Sequence, residues 1–221
     1  FGGHTIQLLP GLDRLSYAQA NAHINRAAHA LHGLGVRRGD VVALCMENRP
    51  AFFHAWLGLA KVGAVCAFLN TNVSGRPMAH ALAATGARRV IVGEECLALF
   101  QALPMDDAGA PPSLWLWPDA ERPASDALRA VCALDIAALA DLAPTANPPA
   151  AWRAGQTAGD PAVYIFTSGT TGLPKAAVIS HARWLMAGDV MAVTMEITPE
   201  DCFYCFLPLY HGAASMSAGS T

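Results

Sequence analysis

Residues 164–177 read Tyr164-Ile165-Phe166-Thr167-Ser168-Gly169-Thr170-Thr171-Gly172-Leu173-Pro174-Lys175-Ala176-Ala177, and their chemistry changes twice along the way. A β-favouring apolar entry over 163–166 gives way to four hydroxyls within five positions, Thr167, Ser168, Thr170 and Thr171. Gly169 and Gly172 allow a tight bend and a close backbone approach to a ligand, because no Cβ stands in the way. Pro174 stiffens the exit, and Lys175 places a positive point charge on it. Strand, hydroxyl-and-glycine loop, then lysine is the chemistry of a phosphate cradle. N–H and O–H donors surround the oxygens while the ammonium offsets their charge. The spacing Gly169-x-x-Gly172-x-x-Lys175 departs from the Walker A loop, and Ala176 stands where a magnesium-binding Ser or Thr belongs, which argues against a Walker-type NTPase. A plain surface turn also uses Gly and Thr, but turns rarely combine so many hydroxyls with a rigid Pro-Lys exit.

On the far side of the loop, residues 175–180 return as a strand, so the loop is expected at the tip of a hairpin. Residues 181–195 read as a helix and 201–207 as a buried strand ending in Leu207-Pro208-Leu209-Tyr210-His211-Gly212. Residues 213–221 are small and polar, with no closing element expected. On the near side, residues 144–161 are Pro/Ala/Gly-rich and read as an exposed connection. Before it, helices and short buried strands alternate. Residues 15–35 form the clearest helix: Ser16 and Gln19 make a capping-box pattern, and Tyr17, Ala20, Ile24, Ala27 and Leu31 share one face. His23, His29 and His32 share this helix; His29 and His32 have a spacing that could in principle bind a metal, but no carboxylate or Cys accompanies them, so they read as solvated helix-face histidines. A strand over 41–46 follows, then a helix over 51–62 with Pro50 near its first position and Gly63 at its end. Next come a strand over 64–69, a helix over 76–84 stopped by Gly86, a strand over 89–92 and a helix over 94–103. The signal weakens beyond 103, with a strand expected at 113–117 and a short helix at 133–142. This alternation implies an α/β fold, a mainly parallel sheet flanked by helices.

The 221 residues suffice for one large domain or two small ones. The charged fraction of 14% is well below the roughly 25% usual for soluble domains. Either the chain is simply Ala-rich or part of its surface is meant to be covered. A net charge of −3 supplies no basic face for nucleic acid. Most of the six cysteines sit in apolar runs, where reduced Cys acts as a small hydrophobe. Cys202 and Cys205 form one C-x-x-C without a second pair, so neither a zinc site nor a redox motif is expected, and a cytosolic, reducing compartment fits. The longest apolar stretch, 50–69, is broken by His54, Lys61 and two glycines, and reads as helix then strand rather than a membrane span. No signal peptide is visible, and because the chain begins at Phe1 its true start is expected to lie outside this sequence.

Residues 164–175 resemble the phosphate-loop signature of the adenylate-forming (AMP-binding) superfamily, which includes acyl-CoA synthetases, luciferases and peptide-synthetase adenylation domains. Leu15-Ser16-Tyr17 with its helix, Gly39-Asp40-Val41-Val42-Ala43-Leu44, and Leu207-Pro208-Leu209-Tyr210-His211 are similar to further family motifs in order and spacing. The likeness is weakest over about 104–155. Ala176-Ala177, where most members have Gly after the lysine, is similar to the fatty acid transport protein group of long- and very-long-chain acyl-CoA synthetases. So are Glu47-Asn48-Arg49-Pro50, Trp56-Leu57-Gly58-Leu59-Ala60-Lys61 and Leu69-Asn70-Thr71-Asn72. The resemblance implies that a carboxylate attacks the α-phosphate of Mg2+·ATP, giving an acyl-adenylate, and that CoA then displaces AMP. It implies that Thr167, Ser168, Gly169, Thr170, Thr171, Gly172 and Lys175 hold the β- and γ-phosphates. His211 would be the catalytic-site residue near the acyl group and α-phosphate, as a gate or orienting ring; a structural His at a strand end is the competing reading. No metal ligand is assigned.

The family's adenine and magnesium motif, ribose-binding Asp, hinge and C-terminal lysine find no match here. The expectation is therefore a partial N-terminal domain, with an α/β subdomain over 1–142, the connection over 143–161, and the hairpin, helix and strand over 162–221. The C-terminal part of the enzyme would be missing and the piece alone inactive, with uncovered apolar faces prone to association. The expected substrate is a fatty acid, with peripheral membrane association of the parent enzyme. A ligase for an aryl, bile or carnitine-type acid, or a non-catalytic nucleotide-binding remnant, remains the alternative.

Overall fold

The computed structural model describes residues 5–6, 15–101, 103–104, 111–167, 173–198, 200–201 and 204–220. A small ladder pairs β1 (Thr5–Ile6) with β2 (Leu15–Ser16). Ser16 then caps α1 (Tyr17–Gly33). Its Oγ accepts from Gln19 N–H while Gln19 Oε1 accepts from Ser16 N–H, so two otherwise orphaned donors are satisfied reciprocally. Ala20, Ile24, Ala27 and Leu31 are buried. Tyr17, expected on the same face, is 48% exposed, because it is the first helical residue and its ring stays largely in water.

The main sheet is built from β3 (Val41–Cys45), β4 (Val65–Phe68), β5 (Arg89–Gly93), β6 (Ser113–Trp117), β7 (Leu134–Asp135), β8 (Pro161–Thr167) and β9 (Lys175–Ser180). Their spatial order is β7-β6-β5-β3-β4-β8-β9, parallel throughout except for the β8–β9 hairpin. Between them lie α2 (Pro50–Val62), α3 (Gly75–Thr85), α4 (Asp126–Arg129) and α5 (Ile136–Asp141), with α6 (His181–Thr194) and α7 (Gly212–Ser220) after β9. Pro50 opens α2 at a position whose N–H would be orphaned anyway. Gly63 closes it at φ +86°, a left-handed turn that a side chain would strain.

Strand alternation sends side chains to two cores. On one face Val42, Leu44, Cys66, Phe68, Ile91, Val163 and Ile165 pack with α1, α2, Ile136 of α5 and Trp184 of α6. On the other, Ala43, Cys45, Ala67, Val90, Val92, Leu114 and Leu116 pack with Met78, Ala81 and Leu82 of α3 and with Leu97 and Phe100. Both faces are covered, which is why the strands read as continuous apolar runs rather than alternating ones.

Several expectations need correction. The helix expected over 94–103 is shorter and tighter than an α-helix: Glu94–Phe100 forms a 3-10 helix. Glu94 turns its carboxylate to Arg129 Nε and the N–H groups of Asp119 and Ala124, and Glu95 turns to Arg49 and Glu47 N–H. The helix expected over 133–142 begins instead with β7, which extends the sheet beside β6, and only Ile136–Asp141 is helical. Among the described residues of 201–207 there is no strand. Tyr204 and Phe206 are exposed, and a side chain rather than a neighbouring strand bonds this segment's backbone. Residues 212–220 do form a closing element, α7, started by His211 C=O accepting from Ala214 and Ser215 N–H.

The connection over 144–161 is strapped down rather than free. Asn25 Nδ2 donates to Thr145 C=O at 2.7 Å and to Asn147 Oδ1 at 3.1 Å. Lys61 Nζ donates to Asn25 Oδ1 at 2.6 Å and to Asn21 Oδ1. His32 stacks on Trp152 with ring centroids 3.7 Å apart, and His29 meets the same indole edge-on. The expectation of solvated histidines therefore fails for both, because the connection supplies an aromatic partner. The cysteines described, Cys45, Cys66, Cys96, Cys132 and Cys205, are all free thiols; Cys202 lies outside the described residues. No helix among the described residues is long and apolar enough to cross a membrane.

Candidate active site

The hairpin carrying the organising stretch is in the sheet. β8 pairs with β4 in parallel, and β9 folds back on β8 with Thr167 opposite Lys175 in the last register pair. Ser168, Gly169, Thr170, Thr171 and Gly172 lie outside the described residues. The two described ends of the predicted cradle thus face each other across its base, both exposed. Thr167 ends a strand parallel to β4, so the base sits at the carboxyl edge of the sheet, where open α/β folds bind ligands. At this edge β3 leads into α2 on one face and β4 into α3 on the other, so adjacent strands diverge and leave room between their loops. Ala176 and Ala177 pair with Phe166 and Ile165. A shallow cavity of about 240 Å³ lies between α3 and the hairpin, lined by Arg76, His80, Ala83 and Leu173. No local sequence pattern marked Arg76 or His80, because only the packing of α3 beside β9 brings them near the turn.

The second motif reaches the same edge. Leu209 and Tyr210 are buried in the core that also holds Ile165. Gly212 lies against the Ile165 side chain, so close that a Cβ there would stand 3.4 Å from Ile165 Cδ1. His211 sits between them at the start of α7, exposed, with its ring centroid 4.4 Å from that of Tyr210. Its side chain is not buried in a structural hydrogen-bond network among the described residues, although its backbone C=O is.

The loop after β3 ties this edge together, one side chain at a time. Glu47 pairs with Arg122 at 2.5 Å. Asn48 bonds the backbone of Leu207 and Leu209. Arg49 donates to the C=O groups of Trp117 and Pro118 and pairs with the buried Glu95 at 3.2 Å. Among the described residues, Arg49 Nε and Glu95 Oε2 have no hydrogen-bond partner, so this ion pair is held by proximity more than by ideal geometry. Another cavity, about 320 Å³, opens between α1, α2 and α5 beside His23, Arg26, Arg49, His54 and Trp117, and includes none of Thr167, Lys175 or His211. At the hairpin edge, by contrast, Thr167, Lys175 and the strand ends come together. Burial, followed by the charge of His23, lowers the His54 pKa to about 4. Among the described residues, no three His, Cys, Asp or Glu side chains are grouped to hold a metal ion, and no magnesium ligand is assigned.

Residues 4–219 match the AMP-binding enzyme family. The chain belongs to the AMP-binding enzyme family. This AMP-binding chain is 38% identical over 206 residues to long-chain fatty acid transport protein 2 of Rattus norvegicus, covering 92% of itself and 32% of that relative. It is 37% identical over 220 residues to the medium/long-chain-fatty-acid–CoA ligase FadD6 of Mycobacterium tuberculosis, covering 99% of itself and 34% of that protein. The N-terminal domain of FACL13 from Mycobacterium tuberculosis superposes with a TM-score of 0.77 at 28% identity, over 98% of this chain and 50% of the other. The AMP-binding chain thus spans about a third of the length of the curated relatives it matches. Both curated relatives carry fatty-acid names, in line with the group suggested by Ala176-Ala177 and Glu47-Asn48-Arg49-Pro50.

Proposed function

We propose that this chain forms the N-terminal part of a fatty acyl-CoA synthetase that activates a long or very long acyl chain with ATP and transfers it to CoA. The observation that carries this reading is the Thr167–Lys175 register pair at the carboxyl edge of the sheet, with the fatty-acid ligase and transport relatives supporting the substrate class. The roles follow from chemistry. Thr167, Ser168, Gly169, Thr170, Thr171 and Gly172 supply hydroxyl and N–H donors to the β- and γ-phosphate oxygens, and Lys175 offsets their charge, so that pyrophosphate leaves from a prepared anion site. His211, exposed beside that edge, orients the carboxylate against the α-phosphate. Mg2+, arriving with ATP, supplies further charge neutralisation when bound.

The seven-stranded sheet supports one body rather than two, because β4 and β8 pair across the division proposed between 1–142 and 162–221, with 143–161 as its strap. Adenine recognition, CoA transfer and the lysine of a C-terminal domain fall to parts of the enzyme this chain does not span, so the segment alone is inactive. The outer face of α6 exposes Leu185, Met186, Val190 and Val193, an apolar surface suited to packing against such parts. The parent works in the cytosol with peripheral contact at a membrane. The test is ATP–pyrophosphate exchange by the complete enzyme across acids of graded length. Exchange rising from short to long chains is expected; exchange confined to aryl or short acids refutes the fatty-acid reading.

A further inference from the structure

Residues 204–207 carry no described strand pairing, yet the stretch from Leu207 to Tyr210 is held at three points by side chains of two different loops. Asn48 Nδ2 donates to Leu207 C=O at 2.8 Å, and Leu209 N–H donates to Asn48 Oδ1 at 2.8 Å. One carboxamide therefore makes both bonds that a neighbouring peptide group makes in a β-ladder. Asn72 Nδ2 donates to the Tyr210 hydroxyl at 2.7 Å. The Tyr210 ring is buried, so its hydroxyl needs such a partner. Both asparagines sit in braced loops. Asn48 stands between Glu47, paired with Arg122, and Arg49, paired with Glu95. Asn72 N–H donates to Asn70 Oδ1 at 2.8 Å, closing a tight turn after β4. Immediately beyond the grip, His211 C=O receives the first N–H groups of α7 and the Ser215 hydroxyl. His211 thus has its backbone fixed on both sides, while its exposed ring meets only that of Tyr210 among the described residues.

We propose that Asn48 and Asn72 are positioning residues that set the place of the His211 ring by clamping the backbone and the tyrosine directly before it. This rests on the reading that His211 works at the acyl group and α-phosphate. Neither asparagine touches substrate in this scheme. Their effect is to remove the freedom of an otherwise unpaired segment before the reaction, which is how a group remote from the chemistry alters rate through orientation. It also gives a physical reason why Glu47–Pro50 and Leu69–Asn72, remote in sequence from Leu207–His211, belong to the same site.

Two measurements test it. In the 221-residue chain, amide hydrogen exchange at Leu209 should quicken by roughly tenfold or more in Asn48→Ala while β3 and β4 stay protected. Asn48→Asp keeps the acceptor for Leu209 N–H and should keep its protection. Unchanged exchange in Asn48→Ala, with the fold intact by circular dichroism, overturns the clamp. In the complete enzyme, Asn72→Leu should lower kcat for pyrophosphate exchange about tenfold with the KM for ATP unchanged. Asn72→Asp should recover most of the loss, because the Tyr210 hydroxyl can donate to the carboxylate. His211→Ala is run alongside. A loss in His211→Ala with none in Asn72→Leu or Asn48→Ala overturns the positioning role, whereas no loss in His211→Ala overturns the His211 reading on which it rests.

Discussion

Gly58 offers a severe test of how α1 and α2 are packed, and hence of what holds the loop after β3 in place. It lies inside α2, where Ala would ordinarily stabilise a helix by about 1 kcal/mol relative to Gly. Here a Cβ would stand 2.9 Å from Ala27 Cβ, 3.2 Å from Ala28 N and 3.3 Å from Ala27 C. Two of those three atoms are α1 backbone, which cannot swing aside as a side-chain end could. Ala27 and Ala28 are fully buried, and α1 also packs against α5, so the helix has little room to withdraw. Overpacking of this kind costs about 1–3 kcal/mol, which exceeds the propensity gain. Gly58→Ala should therefore destabilise the chain by about 1 kcal/mol, and Gly58→Val, with more bulk and a branched Cβ, by about 3 kcal/mol. Gly33→Ala is the control: a Cβ there meets nothing within 4 Å, and its effect should stay within about 0.5 kcal/mol. Urea unfolding followed by far-ultraviolet circular dichroism, with the slope held constant, reads each difference. Gly58→Ala at or above wild-type stability would refute the close approach of the two helices.

Two further predictions follow from burial and from the strap. The ordinary His pKa of 6.5 falls to about 4 for His54 in the folded chain, so folding keeps it neutral. As pH drops, the unfolded chain binds the proton first. The stability this residue contributes is complete above pH 6.5 and lost between there and about pH 4, a change of ~3 kcal/mol. His54→Gln should flatten the stability profile in that window, and an unchanged slope would contradict the burial. Trp152→Ala removes the indole stacked on His32 and should raise trypsin cleavage after Arg153 several-fold; equal cleavage rates would mean that the stacking does not hold the strap.

The parts of the fold legible in the sequence were those set by local chemistry. Ser16 and Gln19 predict their own capping box, Pro50 and Gly63 bracket α2, and the buried strands declare themselves as short apolar runs. The hairpin around the organising stretch was legible for the same reason, with Lys175 returning opposite Thr167. What escaped was decided by partners distant along the chain. Residues 204–207 have the composition of a strand, but the Asn48 carboxamide takes the backbone bonds that a neighbouring strand would have made. His32 looks solvated on α1 until Trp152 arrives from 120 positions on. Leu134 and Asp135 join the sheet because β6 offers an edge, although their neighbours favour a helix. In the candidate site, Thr167 and Lys175 were proposed from motif chemistry and His211 from the family resemblance, while the grip of Asn48 and Asn72 emerged only from tertiary hydrogen bonds.

The central claim is that the Thr167–Lys175 turn grips the phosphates of ATP in an acid-activating enzyme. Lys175→Ala in the complete enzyme, assayed by ATP–pyrophosphate exchange with a long-chain acid, tests it most directly. Loss of the ammonium should raise the KM for ATP by roughly tenfold or more, in keeping with one charge-assisted contact, and leave the KM for the acid unchanged. An unaltered KM for ATP, or a change confined to the acid, would contradict the assignment of this turn to phosphate.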